Sequence, residues 1–473
     1  MTSSPGSLVD RLAGVCGDVS GDEPDLAETG ADRWTLAPAL GRAEAVVRPG
    51  SVEEVSAVLA LCHEARVPVT PAGGRSGVCG GAVAAHGGVA LDLRGLSGVV
   101  AVDEVSMLVD VAAGTFGDVL EAQLRSGHAL TAGHWPQSMA ISTVGGWLAC
   151  RSAGQYSTRY GKIEDMVAGL QVVLADGRVI RTGGGPRAAL GPDLTQVFVG
   201  SEGTLGVITE ARLRLRPAPV TERRAVFGLR SFAAGIEACR LILRRSATPA
   251  ALRLYDPVDA GRAFGPGLRG PNAEAGPGCV LVVVDEGDPV AVDATMAVVA
   301  EECAGAERLP DELAARWLAS RNDVSAYEEA LRSGVVGDTA EMAAPWRALA
   351  PLYDDVVAAV GAVEHCALVS AHLSHAYSDG ACLYFTFAGR PPHDERRRFY
   401  VAAWDAAAAA SRRCGATLSH HHGVGLNKAR FLPEALGPAF DVLVGLKRAL
   451  DGRGILNPGK LGLPHPFGPP AFP

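Results

Sequence analysis

Three consecutive histidines, His420-His421-His422, lie in the run Ser419-His420-His421-His422-Gly423-Val424-Gly425, between apolar segments of helical pattern. Imidazole has an unperturbed pKa of about 6.5, so it gives and takes protons near neutrality, and it is also a common metal ligand. Neighbouring residues point to opposite faces of a strand and diverge by about 100 degrees on a helix, so three in a row do not close readily on one metal. Proton transfer is the expected role. The alternative is a polar strand end with solvated rings. Gly423 and Gly425 favour the first reading, because residues without a Cβ let the backbone approach a ligand closely.

A second concentration of chemistry is Pro71-Ala72-Gly73-Gly74-Arg75-Ser76-Gly77-Val78-Cys79-Gly80-Gly81, with five glycines in eleven positions directly after a strand pattern. Successive backbone N–H groups in such a loop make an anion-binding concavity, for which a pyrophosphate is a natural occupant. The loop matches neither GxGxxG nor the Walker pattern, and Gly88-Val89-Ala90-Leu91-Asp92-Leu93 then reads as a strand, where a dinucleotide fold needs a helix. Taken alone, a glycine loop is more often a turn than a cradle. Two further clusters, Ser142-Thr143-Val144-Gly145-Gly146-Trp147 and Gly200-Ser201-Glu202-Gly203-Thr204-Leu205-Gly206-Val207-Ile208-Thr209, combine small residues with hydroxyls. Three such cradles point to one long, phosphate-bearing ligand.

The elements that must hold these residues divide the 473-residue chain into several folding units. Residues 1–37 are rich in Gly, Asp and Glu and read as a loosely packed lead-in. Within 38–217, Ala45-Val46-Val47-Arg48 reads as a strand, and Ser51-Val52-Glu53-Glu54 as a capping box opening a helix through Arg66. Thr115-Phe116-Gly117-Asp118 reads as a second box, with a helix through Arg125. Ala175-Asp176-Gly177-Arg178 is a hairpin turn between strands at Leu170–Leu174 and Val179–Thr182. Residues 218–415 alternate helices (Phe232–Arg245, Leu349–Val363) with strands (Cys279–Asp285, Cys382–Ala388) around Gly/Pro-rich connectors at 264–278. That pattern predicts an antiparallel sheet covered by helices, and an α+β fold for the chain as a whole. Residues 416–473 hold the histidines, a helix over Asp441–Leu450 and a Pro/Gly-rich end.

A net charge of −9 argues against a general nucleic-acid surface. Ten scattered cysteines without a CxxC pair predict reduced thiols in a cytoplasmic protein, not a zinc site or a disulfide framework. No apolar run approaches the roughly 18 residues needed to span a bilayer.

In order and approximate spacing, the three glycine clusters resemble the FAD-binding domain of the vanillyl-alcohol oxidase / p-cresol methylhydroxylase (PCMH-type) superfamily. Gly454-Ile455-Leu456-Asn457-Pro458-Gly459-Lys460 is similar to the segment with which many members finish. Within the superfamily the chain most resembles the alkyldihydroxyacetonephosphate synthases. The shared pieces are Gly133-His134-Trp135-Pro136-Gln137-Ser138, Ser142 to Trp147, Tyr160-Gly161-Lys162-Ile163-Glu164-Asp165, Leu252-Arg253-Leu254, Ala344-Pro345-Trp346, Asp379-Gly380-Ala381-Cys382-Leu383-Tyr384-Phe385 and the histidine run. The resemblance implies a two-part FAD-binding domain at 38–217, a cap over the substrate at 218–415 and a last segment returning to the FAD domain. FAD would be held by Pro71, Ala72, Gly73, Gly74, Arg75, Ser76 and Gly77; by Gln137, Ser138, Met139, Ala140, Ile141, Ser142 and Thr143; by Cys150, Arg151, Ser152 and Ala153; and by Glu202, Gly203, Thr204, Leu205, Gly206, Val207 and Ile208. Members often attach flavin through a histidine just after the Gly-Gly of the first loop; Arg75 stands there, which implies noncovalent FAD.

By the same resemblance Tyr384, His420, His421, His422, His134 and Arg253 form the working site, without a metal. They would exchange the acyl group of an acyl-dihydroxyacetone phosphate for a long-chain alcohol, with no net redox change. The partner is then a small molecule, and the resemblance leaves room for a homodimer. One family arginine, about one and a half dozen residues before Ala344-Pro345-Trp346, is absent: the stretch reads Ala326-Tyr327-Glu328-Glu329-Ala330-Leu331, which removes a bidentate phosphate partner. Arg321 and Arg332 are the candidates to replace it. Two other readings stay open. One is an FAD-dependent oxidase or dehydrogenase taking hydride from a hydroxyl-bearing carbon, although His375 and His421 depart from the metal motif of the flavin 2-hydroxy-acid dehydrogenases. The other is a flavin-binding protein without catalysis.

Overall fold

The computed structural model describes residues 7–34, 40–265, 278–322, 333–469 and 472. The fold is α+β and is built on three main sheets. In the first, strands Ala45–Val47, Val89–Asp92 and Val69–Ala72 run parallel and are buried almost throughout. Parallel strands covered on both faces need such unbroken apolar runs. The helix Val52–Ala65 makes the crossover. Ser51 Oγ caps it by accepting the Glu54 N–H at 3.2 Å, but the Glu54 carboxylate takes the N–H groups of Gly17 and Gly50, so only half of the capping box forms.

The expected box at Thr115 does not form. Thr115 Oγ1 instead donates to Ala112 O at 2.7 Å and accepts the Gly98 N–H at 2.8 Å, closing a strand end, and the helix runs Gly117–His128. The lead-in is also more than loose chain. Helices Leu8–Ala13 and Glu23–Thr29 flank a strand, Val19–Ser20, that pairs antiparallel with Val46 and Val47, and Leu12, Cys16 and Leu26 are buried. Its acidic composition conceals a few apolar residues spaced to face one sheet. At the other edge, the Val69 N–H donates to Ile455 O and the Asn457 N–H to Val69 O, each at 2.8 Å, so the last segment docks on this sheet.

The second sheet is antiparallel, in the order Val99–Asp103, Leu108–Ala112, Val207–Arg214, Val167–Val173, Val179–Gly183. The hairpin joining its last two members turns at Gly177, whose φ of +88° and tight packing on Ser56 O exclude a side chain.

The third sheet carries seven antiparallel strands in the order Glu307–Leu309, Thr221–Leu229, Cys279–Gly287, Ala251–Tyr255, Cys366–Ala376, Gly380–Gly389, Val336–Pro345. Alternation divides its side chains. Phe227, Leu229, Leu281 and Val283 join the core under helices Phe232–Arg244, Trp346–Gly361 and Arg396–Arg413, while Val226, Val280, Val282 and Val284 face helices Pro257–Phe264 and Glu312–Ser320. The expected connector at 264–278 falls largely outside the described residues, as do Tyr327, Glu328 and Arg332. Among the described residues no helix is long and apolar enough to cross a membrane. All ten cysteines are free thiols.

Candidate active site

Sheet register builds the first wall of the site. Glu341 pairs with Tyr384, Tyr384 with His372, and His372 with Tyr255, so four functional side chains stand in one row across four strands. The Tyr384 hydroxyl donates to Thr339 Oγ1 at 3.0 Å, and its ring stacks on His372 at 4.8 Å. The Asp259 carboxylate lies 2.9 Å from His372 Nδ1. Arg253 precedes Tyr255 by two positions on the same strand face, with its guanidinium 5.4 Å from that ring.

Strand alternation alone would put His375 on the other side of the sheet. A β-bulge between Ser374 and Ala376 intervenes, and His375 takes a φ of +54°. Bulges re-aim side chains, and a left-handed non-glycine residue carries strain that the surroundings must hold. Here the bulge brings the His375 ring to 5.1 Å from His420 and 4.8 Å from His421, with Ser157 Oγ 2.8 Å from its Nδ1.

Glu341 organises the histidine turn. Its Oε1 accepts the N–H groups of His420, His421 and His422 at 3.2, 3.3 and 2.9 Å, and the Ser419 hydroxyl as well. Its Oε2 accepts Lys428 Nζ at 2.8 Å, and neither side chain of this pair reaches solvent. Burial works against the charge on Glu341, yet Lys428 and His422 hold its carboxyl well below the ordinary range. On the far side Lys162 Nζ donates to His420 O at 2.7 Å, and Tyr377 Oη lies 3.1 Å from His420 Nε2. The turn places His421 and His422 with ring centroids 6.0 and 5.4 Å from that of Tyr384.

The structure therefore gathers Tyr384, His420, His421 and His422 into one cluster, with Arg253 at its margin. His134 is elsewhere. It is fully buried behind the cofactor loops, 2.7 Å from Ser152 Oγ and 4.6 Å from the Trp147 ring, so it can position those loops but touches none of the clustered rings. Residues that sequence reasoning did not place in the site are His372, His375, Tyr377, Lys162, Glu341 and Lys428. The adjacency argument against a metal also needs correction. The nitrogens of His375, His420 and His421 lie within 4.8 Å of one another, so two neighbours and a ring from the bulge could hold a cation.

Burial governs the protonation of this cluster. It lowers His420 to about 3 and His372 to about 4, and it pushes His375 and His421 well below the ordinary imidazole value. These four rings are therefore neutral at pH 7 and weaker proton acceptors than a free imidazole, while burial raises the Tyr384 phenol and keeps it protonated. A base whose folded pKa is depressed stabilises the fold above its unfolded value near 6.5 and destabilises it as pH falls toward the folded value. We expect nitrogen-15 shifts of the His420 and His372 rings to remain those of neutral imidazole from pH 8 down to about 5. Imidazolium shifts at pH 6 would contradict this environment.

The cofactor loops interlock. A Cβ on Gly73 would lie 2.1 Å from Thr143 Oγ1, and one on Gly74 would lie 2.1 Å from Ile141 O, so the first loop rests directly on the second. Thr143 Oγ1, Ser201 Oγ and the Nε and Nη2 of Arg75 are buried without a protein partner. Unpaired buried donors of this kind fit the phosphates and hydroxyls of FAD. The remaining nitrogen of Arg75 donates to Thr29 O at 2.7 Å and Ala82 O at 3.2 Å. The Glu202 carboxylate accepts the N–H groups of Val424 and Gly425 at 2.6 and 2.8 Å, its N–H donates to Ala149 O and its carbonyl accepts Asn457 Nδ2, so this residue ties the histidine turn to the glycine loops and holds them in place. Arg151 likewise pairs with Glu164 at 3.3 Å.

Residues 43–183 match the family described as FAD binding domain, and residues 218–461 match FAD linked oxidases, C-terminal domain. The chain belongs to the FAD-linked oxidase family. The chain is 31% identical to an uncharacterized FAD-linked oxidoreductase of Escherichia coli strain K12, over 98% of this chain and 99% of that protein. It is 29% identical to an alkyldihydroxyacetonephosphate synthase of Dictyostelium discoideum, covering 88% of this chain and 72% of the other. It is 31% identical to the glycolate oxidase subunit GlcD of Bacillus subtilis, over 88% of each. Among solved structures, an alkyldihydroxyacetonephosphate synthase superposes with a TM-score of 0.78 at 24% identity, covering 97% of this chain and 86% of that one. p-Cresol methylhydroxylase with substrate bound superposes at 0.77 and 19% identity, over 96% of each chain, which establishes the PCMH-type fold. The protein is thus an FAD-dependent enzyme with the PCMH-type fold.

Proposed function

We propose that the enzyme exchanges an acyl group for an alkoxy group on a dihydroxyacetone-phosphate-like substrate, a step of ether-lipid synthesis. The observation that carries this reading is the cluster's pairing of a protonated phenol, Tyr384, with the neutral imidazoles of His372 and His421 stacked on it and the His422 ring edge-on to it. The exchange breaks the C1–O bond to the acyl group and makes a C1–O bond to the alcohol. C1 loses and regains a proton, the acyl group leaves as a carboxylic acid, and no net electrons move. It therefore needs a proton acceptor and a proton donor within one small volume. His421 takes the C1 proton, Tyr384 supplies a proton to the departing oxygen, and His422 receives the proton of the incoming alcohol. FAD, when bound, supplies an electrophilic ring for the carbon skeleton. The sequence and structural likeness to alkyldihydroxyacetonephosphate synthases supports this assignment.

A second reading rests on the His375, His420 and His421 trio. A cation held there would bind the hydroxyl of an alcohol or 2-hydroxy acid while hydride leaves its carbon, and the glycolate oxidase relative supports that chemistry. Oxygen-free mixing of the holoenzyme with each substrate class separates the two. Formation of an ether product with the flavin still yellow supports exchange. Bleaching by an alcohol or 2-hydroxy acid supports oxidation, and neither outcome leaves a flavin-binding protein without catalysis.

Arg75 in place of a flavin-linking histidine predicts noncovalent FAD. Acid precipitation should release all of the flavin into the supernatant; yellow colour retained in the washed pellet would contradict it.

A further inference from the structure

Next to Tyr384 in the sheet, on the side away from Glu341, a carboxylate and an imidazole form a bonded pair. Asp259, near the start of the helix Pro257–Phe264, places Oδ2 2.9 Å from His372 Nδ1. Its Oδ1 accepts Arg262 Nη1 at 3.2 Å and the Ser370 hydroxyl at 3.3 Å. Burial works against the charge on Asp259, yet the bond from His372 holds its carboxyl below the ordinary carboxylate range, so at pH 7 it can only accept. His372 is neutral there and must carry its one proton on Nδ1, which leaves Nε2 bare.

The backbone around the pair is fixed as well. Asp256 Oδ1 caps the helix by accepting the Asp259 N–H at 2.7 Å. Its Oδ2 accepts the Ala371 N–H at 2.7 Å, and the Asp256 N–H donates to Ala371 O at 3.0 Å. The helix start is thus joined on both sides to the residue before His372, on the strand Cys366–Ala376. The His372 ring lies between two tyrosines, 5.6 Å from Tyr255 and 4.8 Å from Tyr384, and within 17° of parallel to the second. Among the described residues Tyr384 has one side-chain hydrogen bond, to Thr339, so the ring it stacks on does much to set its plane.

A flat neighbour would not be enough by itself, because an unanchored imidazole turns about χ2 at little cost. Nor does Asp259 need His372 for charge: Arg262 is its cation, and the imidazole is neutral. Orientation is what the bond supplies. We propose that Asp259 is a positioning residue for the proton donor: it anchors His372 in one orientation and one tautomer, and the anchored ring holds the Tyr384 phenol where its proton meets the departing oxygen. The inference rests on Tyr384 being the donor in the exchange reaction. Displacing a reacting group by about 1 Å costs on the order of a hundredfold in rate, so loss of the anchor should appear in kcat and not in KM.

The test combines nitrogen-15 histidine spectra of the oxidised holoenzyme with steady-state kinetics of two variants. In the wild type His372 should show a protonated Nδ1 and a bare Nε2 at pH 7; the opposite tautomer would overturn the proposal. Asp259→Asn can turn an amide N–H toward Nδ1, which favours that opposite tautomer. Its kcat for acyl–alcohol exchange should fall about tenfold to a hundredfold, with KM within about threefold of wild type. His372→Phe keeps a flat ring against Tyr384 without the anchor, and its kcat should fall as far. Flavin content and the melting curve of each variant establish that it is folded; if Asp259→Asn does not fold, the wild-type tautomer and His372→Phe decide. Wild-type kcat in folded His372→Phe, or a loss carried mainly by KM, would overturn the anchor. The tautomer is read without substrate. An enzyme that forms no ether but reduces its flavin with an alcohol or 2-hydroxy acid would reject the exchange reaction, and the same variants then score the anchor on the rate of flavin reduction.

Discussion

Tyr384→Phe is expected to lower turnover by about a hundredfold to ten-thousandfold, the range for losing a positioned proton donor, while FAD stays bound. The hydroxyl makes one hydrogen bond to a protein group, to Thr339 Oγ1, and the ring keeps its stack on His372 without it. Losing that bond costs about 1 kcal/mol of stability, far too little to unfold the protein. The substitution therefore separates chemistry from structure. Steady-state rates should fall with an unchanged flavin spectrum and a melting curve close to wild type. A rate within threefold of wild type would remove Tyr384 from the mechanism.

Glu341→Gln is the second large effect, and it acts mainly on structure. The amide keeps an acceptor for the main chain of the histidine turn but leaves Lys428 buried beside a neutral group. Removing one member of a fully buried pair costs about 3–5 kcal/mol, because the remaining charge has neither water nor a partner. The expected result is a markedly lower urea midpoint of unfolding, together with loss of activity as the turn loosens. Glu341→Gln with Lys428→Met should recover part of the stability, since it removes the stranded charge; it should not recover activity, because the turn still lacks its carboxylate. Stability of the single variant within about 1 kcal/mol of wild type would contradict the assignment of Glu341 as the residue that positions the turn.

The extent to which this site could be read from the chain follows from the range of the interactions that build it. The glycine loops were legible because close packing of the kind at Gly73 and Gly74 restricts residue type locally. Tyr384 and the histidines were legible through their motifs. Glu341 was not: its pairing with Tyr384 depends on register between strands far apart in sequence, and one carboxylate in a strand that also carries Asp338 and Thr339 announces nothing by itself. His375 was not placed in the site for a related reason, since the bulge that turns its ring toward His420 and His421 leaves no mark in the sequence. His134 differs from these. The resemblance implied a place in the working site, and the structure packs its ring against Ser152 and Trp147, where burial lowers its pKa to about 3. The lead-in was read as loose from composition, yet it supplies an edge strand and Trp34, whose Nε1 donates to Tyr400 Oη at 2.7 Å.

The central claim is that this cluster of neutral acid and base groups exchanges one C1 oxygen substituent for another without consuming electrons. Single-turnover mixing under anaerobic conditions tests it most directly, with an acyl-dihydroxyacetone phosphate, a long-chain alcohol labelled with oxygen-18, and the flavin spectrum followed to completion. The account predicts one labelled ether and one released fatty acid per turnover, with the flavin oxidised at the end. A flavin left reduced, with a carbonyl product in place of the ether, would contradict it.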